Sequence, residues 1–140
     1  MDLDLSAEHE LLRETVRSFA VERVAPVAEE LDREHRFPYD IVAELAELGL
    51  MGIPIPEEHG GAGGDTLAYA IAIEELTRID SSVAITVAAH TSLGTMPFLL
   101  FGSEEQQREW LPDLASGRRL AAFGLTEPGA GADAGATRTT

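Results

Sequence analysis

The chain has 140 residues, 44% of them hydrophobic, which suits a packed domain and is too apolar for disorder. Its formal charge of −15 argues against a nucleic-acid or anionic-membrane surface, and the lack of cysteine removes disulfide and thiolate chemistry. All ten basic residues are arginine, so neither a Schiff-base lysine nor a phosphate-loop lysine is available. Four acids and no basic residue in Met1–Glu10 are the opposite of a signal or transit peptide, no apolar run is expected to reach membrane-spanning length, and a cytoplasmic location is the simplest expectation.

Ser6 is a good N-cap, with Glu8 and Glu10 in the first turn behind it. Leu12, Val16, Phe19, Ala20, Val24, Val27 and Leu31 then recur at helical spacing, and Pro26 inside the pattern predicts a long helix with a bend. The run "RFPYD" ends it. A second helix is expected from about Pro38, with Ile41, Val42, Leu45 and Leu48 as its apolar face and Gly49 as its stop. "LMGIPIPEEHGGAGGDT" reads as the longest loop, after which Asp65 or Thr66 caps a third helix reaching about Ile79. Asp80, Ser81 and Ser82 offer a new cap for an apolar helix from Val83 to about His90, and another is expected around Met96 to Phe101. Ser103 and Gln106 form a capping box that opens a helix to about Ala115, stopped by Gly117. From Arg118 the pattern changes to an extended one, halted by Pro128. The expected fold class is all-α: residues 1–117 form a bundle of about five or six helices, and residues 118–140 are the first strand of a second, β-rich unit.

Each candidate site has a plain structural alternative. Gly60 to Gly64 could cradle a phosphate, but no Lys-Ser/Thr follows it and helices flank it, which favours a connecting loop. Gly129 to Ala134 fits the dinucleotide pattern literally, yet Pro128 stands where a strand should lead into the turn. His9, His35, His59 and His90 lie in four separate segments without metal-ligand spacing, so no metal site is expected. His90 is the one expected to face a cavity, with a hydrogen-bonded structural role as its simpler reading. Glu127 and Asp133 are better suited to fixing a turn by accepting backbone N–H bonds than to catalysis. Arg108 and Trp110 fit an ordinary amphipathic helix.

"FGLTEPGAGADAG", residues 123–135, resembles the signature of the acyl-CoA dehydrogenase family, in which a Leu/Val-Thr-Glu-Pro step precedes Ala-Gly-Ser-Asp. "FPYDIVAELAELGLMGIPIPEEHGGAG", "AIAIEELTRIDSSVA", "HTSLGTMP" and "FGSEEQQREWLPDLASGRRLAAFGLTEPGAG" resemble further family segments in family order, so the likeness covers essentially the whole chain. It implies FAD as cofactor, acyl-CoA as substrate, 2,3-enoyl-CoA as product and a homotetramer of the intact protein; the electron acceptor is not specified. It implies that Phe123 lies by the flavin and that Leu125 and Thr126 bond its pyrimidine edge. Gly131 and Ala132 stand where the family has Gly-Ser, which reaches the cofactor pyrophosphate or the CoA portion. Ala132 keeps the backbone donor but loses the hydroxyl, a loss on the order of 1.5–3 kcal/mol for a hydrogen bond to a charged group. Thr86, Ala89, His90 and Leu93, with Ala132, match the part that closes round the acyl chain. The likeness places the catalytic glutamate base beyond residue 140, so the chain is expected to be an N-terminal piece, catalytically incomplete by itself. An acyl-CoA oxidase or flavin monooxygenase relative is the alternative within the family, and a non-catalytic helical interaction module the alternative outside it.

Overall fold

The structure, a computed structural model, describes residues 4–139. It contains five helical rods among the described residues. Helix α1 spans residues 7–34 and α2 spans Tyr39–Glu47; α3 is Thr66–Thr77, α4 is Ser81–Phe101 and α5 is Glu104–Ala115.

Four of the five begin on a side-chain cap that the sequence announces. The Ser6 hydroxyl accepts the His9 N–H at 3.2 Å, and Asp65 Oδ1 accepts the Ala68 N–H at 2.7 Å. Asp80 Oδ1 accepts the N–H groups of Ser82 and Val83 at 2.7 and 2.9 Å, and Ser103 and Gln106 close a reciprocal box. Each such cap contributes about 1 kcal/mol by satisfying an otherwise orphaned donor. Left-handed residues terminate the helices: His35 at φ 53° after α1, Gly49 at φ 74° after α2 and Gly117 at φ 72° after α5. Gly117 is also a close approach, since a Cβ there would meet the Ala46 Cβ at 2.6 Å.

The core lies between these rods. Val16, Ala20 and Val24 of α1, Ile41, Val42 and Leu45 of α2, Ala72 and Leu76 of α3, and Val83 and Val87 of α4 form it together. Met51 and Ile53 enter from the loop. Arg17 of α1 grips Glu75 of α3 with two hydrogen bonds, at 2.9 and 2.7 Å, although Glu75 is only 3% exposed. That pair fastens α1 to α3 from inside.

Three expectations need correction. Leu48 does not belong to the buried face of α2; it is 46% exposed, because the helix has already turned past the core one residue before Gly49. The two apolar helices expected at 83–90 and 96–101 are one rod, joined by a π-helical stretch, Ala89–Thr95, that carries the chain through Gly94 without a break. The resulting α4 has 21 residues and is long and apolar enough to cross a membrane, against the expectation that no run would be. Val83, Ala84, Val87, His90, Thr91, Gly94 and Thr95 give it a buried face, which makes it the central helix of the bundle. Pro26 lies inside α1, as expected of one long helix, and a π-helical stretch, Ala20–Val24, runs up to the residue before it, Ala25.

Residues 53–64 form a tight loop. The N–H groups of Ala62, Gly63 and Gly64 donate to the carbonyls of Gly52, Ile55 and Ile53 at 3.0, 2.9 and 2.7 Å. Donors spent on the chain itself cannot cradle a phosphate, so the connecting-loop reading holds.

Candidate functional site

The signature lies on the segment that leaves α5. Asp113, on the last turn of α5, pairs with Arg118 at 2.5 Å and with Arg119 at 3.2 Å, and the Arg119 guanidinium sits over the Trp110 ring at 5.6 Å. These contacts aim the chain back across α4. There the Ala121 N–H donates to His90 Nδ1 at 3.0 Å. The other ring nitrogen, Nε2, lies 3.0 Å from the Leu114 carbonyl and donates to it. The imidazole is therefore neutral, with its proton on Nε2, and burial pushes its pKa below the usual histidine value. Of the two readings of His90, the hydrogen-bonded structural one is what the geometry displays.

His90 stands in the π-helical stretch, where three buried polar residues are all satisfied. The Thr91 hydroxyl donates to the Met51 carbonyl at 3.2 Å, and the Thr95 hydroxyl donates to the His90 carbonyl, five residues back, at 2.9 Å. The second of these bonds spans the wide turn and supports it. Gly94, one turn after His90, lies flush against the leaving segment: a Cβ there would stand 2.3 Å from the Ala121 Cβ.

Where segment and helix meet there is a cavity of about 410 Å³, lined by Thr86, Ala89, His90 and Leu93 of α4, Phe37 before α2, and Leu120–Phe123. Four of the expected pocket residues and one of the expected flavin-side residues thus come together. Its walls carry no charged side chain. The Thr86 hydroxyl is turned back to the Ser82 carbonyl at 2.9 Å, which leaves its methyl for the cavity. Gly131 and Ala132 lie past the turn, exposed, and do not line this cavity.

From Ala122 to Thr126 the chain has no regular secondary structure, and among the described residues it makes no backbone hydrogen bond. Phe123 and Leu125 are 53% and 46% exposed, and a Cβ on Gly124 would meet open space. The strand expected here is not formed among the described residues, because no partner strand closes its N–H and C=O groups. Glu127 then closes a turn with Ala130, each donating its N–H to the other's carbonyl at 3.0 and 3.1 Å. Its carboxylate accepts the N–H groups of Arg138 and Thr139 at 2.9 and 3.0 Å. Hydrogen bonds from Thr139, then from Arg138, hold the Glu127 carboxyl below its usual value. The carboxylate accepts backbone N–H bonds, as the sequence suggested, but it ties down residues 138 and 139 rather than the turn, which backbone bonds alone close.

The profile of "Acyl-CoA dehydrogenase, N-terminal domain" matches residues 6–118. The chain belongs to the acyl-CoA dehydrogenase family. It is 46% identical over 138 residues to an acyl-CoA dehydrogenase of Bacillus subtilis, covering 99% of this chain and 36% of that one. Among solved structures, butyryl-CoA dehydrogenase from Megasphaera elsdenii superposes with a TM-score of 0.92 at 38% identity, over 99% of this chain and 37% of that one. An acyl-CoA dehydrogenase from Bacillus anthracis, complexed with FAD, superposes with a TM-score of 0.87 at 41% identity, over 96% and 23%. The chain thus spans about a third of the length of the curated relatives it matches.

The bare segment, residues 122–126, is where backbone groups stand unengaged among the described residues. Backbone N–H and C=O groups that no other part of the chain engages are donors and acceptors available to the edge of a flat heterocycle. The sequence reasoning missed the devices that hold this segment in place, His90 toward Ala121 and the bare Cα of Gly94. The one available signal was a glycine four residues after a histidine inside an otherwise uninterrupted uncharged run.

Proposed function

We propose that these residues form the N-terminal helical part and the flavin-edge segment of an FAD-dependent enzyme that oxidises acyl-CoA thioesters to 2,3-enoyl-CoA. The observation that carries the reading is the uncharged cavity in which Thr86, Ala89 and Leu93 of α4 meet Phe123 of the signature. Bound FAD would supply the acceptor for the hydride that leaves the β-carbon. The backbone of Leu125 and the backbone and hydroxyl of Thr126 would bond the flavin's pyrimidine edge, and Phe123 would stand beside the ring. Thr86, Ala89 and Leu93 would wall the acyl chain and exclude water from the reacting carbons. Neither His90 nor Glu127 takes the α-proton. Both nitrogens of the first are engaged, and the carboxylate of the second is tied to Arg138 and Thr139.

The test is a chimera in which residues 1–140 replace the matching stretch of the Bacillus subtilis relative. It should purify with flavin, and acyl-CoA should bleach the flavin absorbance and drive reduction of an electron-accepting dye. A folded, flavin-loaded chimera that no short, medium or long acyl-CoA bleaches would overturn the proposal. Turnover with oxygen in place of the dye would move the reading to an oxidase.

A further inference from the structure

We infer that His90 and Gly94 are positioning residues: together they form a seat on α4 that fixes the register of residues 120–123 and so sets where the signature that follows is presented. Two independent features of the π-helical stretch converge on one residue. His90 takes the Ala121 N–H at 3.0 Å, and Gly94 leaves the space in which the Ala121 methyl rests, since any Cβ there would overlap it at 2.3 Å. Beyond Ala121 the segment has no backbone partner up to Thr126 among the described residues. The seat is therefore the last fixed point before the signature. A slip of one residue at this point would carry Phe123 away from the cavity wall that it now forms with Thr86, Ala89 and Leu93. That this side chain faces a flavin rests on the function proposed above; the seat itself does not.

The seat works only with neutral imidazole. A second proton would sit on Nδ1, turning the acceptor of the Ala121 N–H into a donor facing a donor. Burial lowers the His90 pKa, so this happens on the acid side of the ordinary histidine range. No charged group lines the cavity beside the ring. The charges nearest in sequence on the packed elements are engaged elsewhere: Asp113 with Arg118 and Arg119, and Arg36 with Glu30 and Glu34.

Amide hydrogen exchange on the 140-residue chain, without flavin, tests the seat whatever the fate of the functional reading. The protection of the Ala121 amide, corrected for intrinsic exchange, should fall about tenfold as His90 titrates, while amides of α2 and α3 hold theirs. Two substitutions separate the ring nitrogens. His90→Asn keeps an acceptor near the place of Nδ1 and should retain most of the Ala121 protection. His90→Gln keeps a donor near the place of Nε2 and should lose it. Gly94→Ala should remove Ala121 protection at every pH and expose the bonds after Arg118 and Arg119 to trypsin. Ala121 protection indifferent to pH, or equal in the Asn and Gln variants, would overturn the inference. So would a loss that is matched in α2 and α3, which would make His90 a general core residue. The wild-type titration requires no variant, so a substitution that fails to fold does not shelter the claim.

Discussion

Residues 6–117 and residues 118–139 are built by different physics. In the first stretch nearly every polar group of the backbone is closed locally, by helix bonds, side-chain caps and left-handed stops, and the apolar faces bury one another. In the second, five consecutive residues from Ala122 to Thr126 have no backbone partner among the described residues, and the large side chains Phe123 and Leu125 are half exposed. A few contacts hold it: Asp113 with Arg118 and Arg119, His90 with Ala121, and the Glu127 carboxylate with Arg138 and Thr139. A helical bundle can satisfy itself from one continuous stretch of sequence, whereas an extended segment needs partners from elsewhere. Of the two, the second stretch is the one whose backbone groups are still available to a ligand or to further structure.

The contrast is sharpest for apolar truncation. Leu45→Ala, at a fully buried position, should cost about 2–5 kcal/mol through lost burial and the cavity left behind. Leu125→Ala, at a position 46% exposed, should stay within about 0.5 kcal/mol. Denaturant midpoints of the two variants measure the difference directly. Comparable losses at both sites would mean that the tail is part of the cooperative unit, and the division drawn above would fail.

How much of this was legible beforehand follows the same division. Caps, stops and apolar periodicity are local, and Ser6, Asp65, Asp80, Ser103, Gly49 and Gly117 all behave as their residue types suggest. The joining of two short helices into α4 was not legible, because Gly94 reads as a breaker until Ala121 is found pressed against it. The left-handed His35 was likewise hidden, since a non-glycine stop carries no compositional mark. In the site, Thr86, Ala89, His90, Leu93 and Phe123, picked from the pattern, do line one cavity, whereas Leu125, Thr126, Gly131 and Ala132 do not. The contact between His90 and Ala121 spans 31 positions, and no local pattern predicts a bond of that range.

A smaller effect belongs to the pair that ties α1 to α3. Arg17→Met keeps the aliphatic stem but leaves the buried Glu75 carboxylate without its two hydrogen bonds, which should lower the denaturant midpoint at neutral pH. The Arg17 hydrogen bond, against the opposing effect of burial, holds the Glu75 carboxyl below its ordinary value of 4.5. A depressed carboxyl pKa contributes stability that is present above the ordinary value and lost as pH falls through the depressed one. Wild-type stability should therefore drop across that acid window, and the variant should show a shallower drop there. Parallel pH profiles for the two proteins would show that the pair adds nothing net to the bundle.

The smallest effect expected on global stability is at the far end of the tail, where the comparison can be probed without touching the core. Glu127 accepts two N–H groups, from Arg138 and Thr139, through its two carboxylate oxygens, Oε2 and Oε1 respectively. Glu127→Gln retains one oxygen and puts an NH2 group, which cannot accept, in place of the other. One of the two amides must therefore lose its partner, and the one that remains bonds to a neutral acceptor, which is weaker than a charged one. Exchange at both amides should quicken, while the turn between Glu127 and Ala130, made entirely of backbone bonds at 3.0 and 3.1 Å, keeps its protection. The thermal midpoint of the bundle should move by no more than about 1 °C, because none of the affected donors belongs to the helical core. The carboxyl is held below its ordinary value, so wild-type protection of these two amides should persist into acid and then fall to the level of the variant. A shift of several degrees in the midpoint would instead couple the end of the tail to the helices, and residues 118–139 would have to be redrawn as part of one cooperative fold.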